Sequence, residues 1–475
     1  MTEIIEAIER FIGASLDPVL CEPGEDWLPI TSENFSLQAQ GACAQLQAWD
    51  ARRSLVRRIT AIERETRGKL VLKVARFGKL AGTLELIDRR RAPADNVPLR
   101  SARLVFREQF RRFLRRQFPA FKLAELTTEA DLEHTLSPAY PRALVRKGTE
   151  AWAAIGAPPE ATNVDGGLSF GLIWLDYLRL RESALAIRGL VVYLPAADAK
   201  TTCLRLRFLD PAAAEYRAFA YDADGLEESI DLADFGNLDT HLEPCRRRAL
   251  APSSLAIPEV ETVERSDGEL SFRVNGLEFA RTAGSELLVG LDTKRPGSTA
   301  DALALARELS RMRSAAAADR RNPLYLRNPE AWLESQVRRH IQEIDASLGP
   351  TPVYGQVPAF AAADRGVLDL LAVDHRGRLA VIELKASQDV HLPLQALDYW
   401  MRVRWHVERG EFRFQGYFPG QELRREVPRL LLVSPALDFH PSTDRVLRYF
   451  SPGIPVERIG VGLQWRKELK VMFRS

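Results

Sequence analysis

The sequence is poor in cysteine and methionine and has no long apolar run, and these shortages exclude several classes of protein. Its four cysteines show no CxxC spacing, which argues against a zinc ribbon and a disulfide-stabilised fold. No stretch of about 18 residues is apolar and free of charge, so no membrane-spanning helix is expected. The first residues carry acids instead of the basic and apolar regions of a signal peptide, and we expect a cytoplasmic protein.

Charged residues are numerous but balanced, since 66 basic and 64 acidic side chains leave a net charge of +2. Any signal for a polyanionic partner must therefore be local. The glycines form neither a P-loop nor a G-x-G-x-x-G motif, so no nucleotide cofactor is expected. With 475 residues, the chain exceeds the size at which a single core stops growing, and we expect several domains.

The predicted fold class is multidomain α/β (α+β). Turn residues between strand-like runs predict one antiparallel meander at 57–88 and a second near 260–290. The segment 201–210 is predicted to be a strand, and a helix that begins after Asn328 is expected to continue to Gly349. The predicted divisions are an α+β region at 1–125, an α/β region at 126–297, a connecting helix and linker at 298–327, and a last domain at 328–475.

A basic helix is predicted at 101–118, where arginines recur every fourth residue and Phe106, Phe110 and Phe113 lie on another face. Three interpretations stay open at this point. The arginines bind nucleic-acid phosphates, form a solvated face of a helix packed through its phenylalanines, or contact a membrane surface. The membrane interpretation conflicts with the need for the phenylalanines in a core.

Three charged residues interrupt two apolar strands in the last third of the chain. Asp369 is the only polar residue of VLDLLAV, and Glu383 and Lys385 break LAVIELKAS. Because a carboxylate buried without a cation costs several kcal/mol, these charges indicate mutual compensation or a bound metal. Strand periodicity places Glu383 and Lys385 on one face, and a hairpin at 375–377 can bring Asp369 beside them.

Two carboxylates can hold a hard divalent cation through oxygen ligands, so Mg²⁺ or Mn²⁺ is the predicted cofactor. Such a site suits phosphodiester hydrolysis, because the cation polarises a phosphate and activates water while Lys385 orients the water. Glu334, on the preceding helix, is predicted to complete the metal shell. Glu330 is its rival on the same helix.

This segment resembles the PD-(D/E)XK phosphodiesterase, or restriction-endonuclease-like, superfamily. The resemblance rests on a helix acid, a strand Asp and a strand E-x-K motif, here Glu334, Asp369, and Glu383 with Lys385. It implies an αβββαβ core around a mixed sheet. It covers about residues 328–440, and Leu368 stands where the name-giving proline would be.

The helix after the third strand carries Gln395 and Tyr399, four residues apart. This spacing is similar to the Q-x-x-x-Y element of the RecB-type and lambda-exonuclease-type nucleases, whose residues line the DNA side of the site. The resemblance implies that both residues contact substrate. Arg402 follows on the same helical face and is a further candidate for substrate binding.

Each candidate also has a purely structural interpretation. The strand charges are then a salt-bridge cluster or the solvated charges of an edge strand. Glu334 is then the partner of Arg338 four residues later, and Gln395 and Tyr399 are ordinary surface and core residues.

The sequence therefore predicts a metal-dependent nuclease, with DNA as the expected substrate. The upstream regions are expected to select the substrate or to contact a protein partner or a second copy of the chain. The alternative is a nucleic-acid-binding or assembly module with a nuclease-like fold that does not cut.

Overall fold

Alternating and helical apolar patterns distribute the chain among four sheets and the helices that cover them. The computed structural model describes residues 2–21, 28–31, 34–40, 43–49, 54–66, 68–75, 81–88, 97–131, 133–159, 163–222, 225–233, 238, 240–245, 259–264, 268–360 and 367–475. Contacts divide the chain into two units, Met1–Phe235 with Asp444–Phe450, and Gly236–Thr443 with Ser451–Ser475. The predicted divisions at 125, 297 and 327 fall inside these units. The architecture is mixed α/β, with both parallel and antiparallel strand pairs.

The first sheet of unit 1 contains the meander predicted at 57–88, which is confirmed as three consecutive antiparallel strands. Its strand order is β2-β1-β7-β6-β5-β4-β3, and Ile8 and Phe11 of the first helix pack on its apolar face. The elements are α1 (Thr2–Ala14), β1 (Pro18–Cys21), β2 (Leu28–Pro29), β3 (Phe35–Gln40), β4 (Cys43–Trp49), β5 (Ser54–Thr66), β6 (Lys69–Ala75) and β7 (Ala81–Asp88).

The second sheet of unit 1 is mixed and has the order β13-β12-β11-β10-β9-β8. The basic helix packs on one face through Phe106, Phe110 and Phe113, while Gly171 of the next helix lies against Ile155 on the other face. The elements are α2 (Val97–Gln117), β8 (Lys122–Thr127), β9 (Arg142–Lys147), β10 (Glu150–Gly156), α3 (Gly167–Arg181), β11 (Ala186–Pro195), α4 (Ala199–Leu206), β12 (Glu215–Tyr221) and β13 (Glu227–Ile230).

Helix α4 corrects the prediction of a strand at 201–210. The β-branched threonines favour a strand by propensity, but tertiary contacts decide otherwise. Thr202 Oγ1 donates to Asp165 Oδ1 at 2.9 Å, and Arg205 Nη1 donates to the Asp165 carbonyl at 2.9 Å. Residues three apart lie on one side of a helix but on opposite faces of a strand, so the helix lets both side chains reach Asp165.

Unit 2 contains a five-stranded antiparallel sheet, which confirms the second predicted meander, and a seven-stranded mixed sheet. The elements are β14 (His241–Leu242), β15 (Val260–Glu264), β16 (Leu270–Val274), β17 (Leu277–Ala283), β18 (Glu286–Val289), β19 (Arg295–Pro296), α5 (Thr299–Met312), α6 (Pro323–Leu326), α7 (Pro329–Arg339), α8 (Ile341–Ile344), β20 (Tyr354–Phe360), β21 (Val367–Val373), β22 (Leu379–Leu384), α9 (Leu392–Arg409), α10 (Glu411–Phe414), β23 (Arg429–Pro435), α11 (Thr443–Leu447), which crosses the boundary between the units, β24 (Val456–Val461) and β25 (Val471–Arg474).

The seven-stranded sheet has the order β14-β20-β21-β22-β23-β24-β25. Strands β20, β21 and β22 are antiparallel neighbours, whereas β22, β23 and β24 run parallel. Helix α7 buries Trp332, Leu333 and Val337 on one face, and α9 contacts β22 and β23. The predicted loop at 361–366 lies outside the described residues.

The helix after Asn328 ends at Arg339, so it is shorter than the predicted helix to Gly349. His340 leaves the helical conformation, with φ −123° and ψ 41°, and its Nδ1 lies 3.1 Å from the Gln336 carbonyl oxygen. The chain then forms the separate turn α8, which buries Ile341 and Ile344. None of the described helices is long and apolar enough to cross a membrane.

Helix α7 is held against the five-stranded sheet by a close backbone approach and a buried arginine. Gly276 has φ +78°, and a Cβ there would lie 1.8 Å from the Ala331 carbonyl oxygen. The Arg313 side chain is 0% exposed and donates to the carbonyl oxygens of Asn275, Leu324, Arg327 and Asn328. This guanidinium therefore joins the β16–β17 turn to the start of α7.

We expect Arg313→Met to lower the free energy of unfolding by about 3–5 kcal/mol, because several buried carbonyl groups lose their donor. Chemical denaturation followed by tryptophan fluorescence measures this change. The matched control is Arg311→Met, two residues earlier in the last turn of α5. Arg311 is exposed, and its substitution should change stability by less than about 0.5 kcal/mol. Equal effects of the two substitutions would contradict the bridging role of Arg313.

Candidate active site

Two acidic side chains lie together on the central strands of the seven-stranded sheet. Leu370 of β21 pairs with Ile382 of β22, and one further step of the same register places Asp369 opposite Glu383. The backbone N–H of Leu384 donates to Asp369 Oδ2 at 2.8 Å. Both strands are interior to the sheet, so the interpretation as an edge strand with solvated charges is wrong.

Alternation along the strands assigns these two acids to one face. Leu370 and Ile382 belong to the apolar cluster that includes α7, so their neighbours Asp369 and Glu383 point to the opposite face, which α9 covers. The two carboxylates therefore lie between the sheet and α9.

Glu383 is almost completely buried, with 3% of its surface exposed. Within the described residues its Oε2 has no hydrogen-bond partner. Burial and then the negative charge of Asp369 raise the pKa of Glu383 well above its usual range. An unsatisfied, buried carboxylate oxygen costs free energy, which a bound cation or donor would recover.

Asp369 also holds its proton unusually strongly. Burial raises its pKa to about 7, against the opposing effects of the Leu384 N–H and the positive charge of Lys385. Two neighbouring acids with raised pKa values are typical of functional sites, because folding alone gains nothing from them.

Lys385 lies one residue beyond β22 and is surrounded by acids. Its Nζ is 3.8 Å from Glu330 Oε1 and 3.9 Å from Asp389 Oδ2. Burial by itself lowers the pKa of Lys385, but Glu330, Glu383 and Asp389 outweigh it, and the pKa is raised. The ammonium group therefore stays charged.

Glu334 is placed differently from the other predicted ligands. A Cβ atom added to Gly355 would lie 2.8 Å from Glu334 Oε1. Gly355 pairs with Leu370, so Glu334 lies on the sheet face opposite to Asp369. Glu334 Oε1 accepts a hydrogen bond from Arg338 Nη1 at 3.1 Å and lies 4.0 Å from Arg273 Nη1. The predicted alternative of a pair with Arg338 is confirmed, and the acid of α7 that approaches Lys385 is Glu330.

The predicted residues of α9 lie on its half-buried side, and Tyr399 is close enough to both carboxylates to feel their charge. Burial and then the negative charges of Glu383 and Asp369 raise the pKa of the Tyr399 hydroxyl. Gln395 Oε1 and Arg402 Nε are buried and have no hydrogen-bond partner within the described part of the chain. These groups remain available to a ligand at the site.

The sequence pattern indicated Arg338 as a partner of Glu334 but did not single out Asp389, Glu261 or Arg273. Asp389 follows Lys385 by four residues, and this spacing was the signal available for it. Glu261 and Arg273 belong to the five-stranded sheet, where Glu261 Oε2 lies 2.6 Å from Arg338 Nη2. Only the tertiary structure brings these distant residues to α7.

The donor set fits a divalent cation held mainly by water and substrate. Within the described ranges, no three acidic, histidine or cysteine side chains are grouped as a metal site. Mg²⁺ commonly uses only one or two carboxylates and completes its octahedron with water and phosphate oxygens. Asp369 and Glu383 supply such a pair, and the unsatisfied Oε2 of Glu383 is a ligand atom without another use.

Comparison with known proteins finds no matching family model, no similar curated protein and no similar solved structure.

We expect Mg²⁺ to raise the unfolding temperature at pH 8 and to raise it much less at pH 5. Protons on Asp369, whose pKa is about 7, compete with the cation at the lower pH. At a Mg²⁺ concentration ten times Kd, the stabilisation is roughly 1.4 kcal/mol. Scanning fluorimetry with MgCl₂ or EDTA measures the shift.

The control for this measurement compares two acids of unit 2. Asp369→Asn should abolish the Mg²⁺-dependent shift, while Glu286→Gln, at an exposed position on β18, should retain it. A shift of the same size in Asp369→Asn would refute the assignment of the cation to this site.

Proposed function

We propose that this protein is a metal-dependent nuclease of the PD-(D/E)XK type that hydrolyses phosphodiester bonds in DNA. The observation that carries the proposal is the pair of carboxylates on neighbouring interior strands, the buried Glu383 and the half-buried Asp369, with Lys385 beside them. Both acids have raised pKa values, and within the described residues one oxygen of Glu383 has no hydrogen-bond partner. These are properties of a site that awaits a ligand.

The order of elements in unit 2 supports the proposal. Helix α7 is followed by the antiparallel strands β20, β21 and β22, then by α9 and the parallel strand β23. This is the order that the resemblance implies for a restriction-endonuclease-like core. Asp369 lies on the second of these strands, Glu383 on the third, and Gln395 and Tyr399 on the following helix.

A purely structural role explains the cluster less well. A buried ion pair adds little to stability even when it is fully satisfied. Here one ammonium group faces several carboxylates, and Asp369 and Glu383 raise the free energy of each other's charged form. Burial of apolar residues at these two positions would stabilise the sheet better, so the charges have another use.

Each residue then has a role set by its position. Asp369 and Glu383 hold the cation through carboxylate oxygens, and Lys385 orients the attacking water and steadies negative charge on the phosphate. Glu330 and Asp389 keep Lys385 protonated and restrict its position. Mg²⁺ in such a site supplies polarisation of a phosphoryl oxygen and a lower pKa for water.

The residues of α9 contact the substrate in this proposal. Arg402 supplies a positive charge to a phosphate, and Gln395 and Tyr399 supply hydrogen-bonding groups close to the scissile bond. Tyr399 keeps its proton at neutral pH because its pKa is raised, so it acts as a hydrogen-bond donor.

We expect Lys385→Ala to reduce metal-dependent cleavage at least about 100-fold without unfolding the protein. Purified protein is incubated with Mg²⁺ or Mn²⁺ and supercoiled, linear, branched or single-stranded DNA, or RNA, and the products are separated by electrophoresis. Lys467→Ala, at an exposed lysine of the same unit, is the matched control. Failure of the wild type to cleave any of these substrates would favour the non-cleaving binding module, and full activity in Lys385→Ala would exclude the proposed site.

The two acids of α7 give a second test. Glu330→Gln weakens the placement of Lys385, and we expect about a ten-fold loss of cleavage with little change in stability. Glu334→Gln leaves Arg273 and Arg338 without full compensation, so it should lower the free energy of unfolding by about 2–3 kcal/mol.

Cleavage per folded molecule separates the roles of these two acids. We expect Glu334→Gln to retain at least half of the wild-type value at a temperature where both proteins are folded. The reverse pattern, with cleavage lost in Glu334→Gln and kept in Glu330→Gln, would restore Glu334 as the ligand that completes the metal shell.

A further inference from the structure

Helix α2 of unit 1 carries a concentration of positive charge that the proposed active site does not use. Between Arg103 and Gln117 the sequence has six arginines and one acid, Glu108. The net charge of the whole chain is only +2, so this helix is a local exception. A local excess of one sign is the electrostatic footprint of a partner of the opposite sign.

The orientation of α2 is fixed by its aromatic side. Phe106, Phe110 and Phe113 are 4%, 0% and 0% exposed and pack against the sheet together with Tyr193. The helix therefore cannot rotate its arginines into a core. Arg112 and Arg115 are exposed, and Arg103, Arg107 and Arg111 are partly exposed.

Among the residues that the structure describes, two of these six arginines have an acidic partner. Arg111 Nη2 lies 3.6 Å from Glu108, and Arg116 pairs with Glu227. Arg107 Nη2 donates to the Leu126 carbonyl at 3.2 Å. Across the residues that the structure describes, the Nε atoms of Arg107 and Arg111 are buried without a hydrogen-bond partner. Within the described residues the helix thus retains positive charge that no acid compensates, as at the exposed Arg115.

We infer that the arginine stripe of α2, which is Arg103, Arg107, Arg111 and Arg115, binds the phosphate backbone of a nucleic acid. Successive members are about 6 Å apart along the helix axis, and the stripe spans about 18 Å. About five phosphates of one strand of B-DNA occupy that length. Guanidinium groups bind phosphate oxygens through two parallel hydrogen bonds, which an ammonium group cannot do.

The inference rests on the proposed function in one respect, which is the choice of nucleic acid among polyanions. Contact with an anionic membrane is less suitable, because the aromatic residues that would insert are in the core. Within the described part of this helix, the large apolar side chains exposed to solvent are Leu104 and Val105, at 57% and 68% exposure. The stripe reads no base sequence, since backbone contacts position a protein without specifying bases.

The experiment measures binding of a fluorescein-labelled DNA duplex to the full chain by anisotropy, in EDTA so that no cleavage occurs. The stripe variant is Arg103→Gln, Arg111→Gln and Arg115→Gln, which keeps Arg107 and its bond to Leu126 and uses a good helix former. The matched control removes the same charge from exposed positions on β8, β9 and β11, as Lys122→Gln, Arg146→Gln and Arg188→Gln.

We expect the stripe variant to bind DNA at least about ten-fold more weakly at 0.1 M salt. The slope of log K against log salt should fall in magnitude by about 2 to 3, since each lost phosphate contact removes about 0.9. For the control variant, the magnitude of this slope should fall by less than half of that amount. Equal slopes in the stripe variant and the control would overturn the inference.

Two competitors test the chemistry of the partner. The assignment to nucleic acid would also be overturned if polyglutamate competed as well as DNA does. Stripe-dependent binding to phosphatidylserine vesicles in place of DNA would overturn it too. If circular dichroism shows that the triple variant is unfolded, the pair Arg103→Gln and Arg115→Gln is used. Both residues belong to the stripe and are at least partly exposed, and this pair should reduce the slope by about 1 to 2.

Failure of this inference is distinguishable from failure of the proposed function. Lys467→Ala, the exposed control of the cleavage assay, should bind DNA in EDTA as the wild type does, because it retains the stripe. Stripe-dependent binding without metal-dependent cleavage would retain the inference and reject the nuclease. Lys385-dependent cleavage together with unchanged DNA binding by the stripe variant would retain the nuclease and reject the inference.

Discussion

The close approach of two acidic groups, one buried and one half-buried, on neighbouring interior strands is the constraint on which the candidate site depends. Asp369 and Glu383 can be adjacent only if they hold protons or share a cation, because two desolvated carboxylates repel each other. Their raised pKa values express the first state. The proposed function uses the second state, in which a divalent cation replaces the protons.

Glu334 on α7 shows how a buried acid differs when guanidinium groups surround it. Glu334 is as deeply buried as Glu383, at 5% and 3% exposure, but it has Arg338 and Arg273 around it. Glu383 has no comparable guanidinium partner, and its Oε2 is unsatisfied within the described residues. Burial alone therefore does not separate a structural acid from a functional one, whereas the partners do.

The contrast between α4 and the two meanders shows which elements local sequence predicts. Turn residues between alternating apolar runs predicted β5, β6 and β7 correctly, because the period of a strand and the turn chemistry agree there. In α4 the propensity of threonine opposed the tertiary contacts with Asp165, and the contacts decided the structure. The end of α7 at Arg339 had no glycine or proline to indicate it.

By itself, the sequence determined that Asp369 and Glu383 lie on apolar strands, with Lys385 directly after the second, and that Gln395, Tyr399 and Arg402 share one side of a helix. These are consequences of periods of two and 3.6 residues, which local geometry imposes. Only the tertiary structure decided which acid of α7 approaches Lys385. The rotation of α7 is set by the burial of Trp332 and Val337 and by Arg273, a residue of another sheet. Glu330 and Glu334 are four residues apart on one stripe, so no local pattern distinguishes them, and distant contacts make the choice.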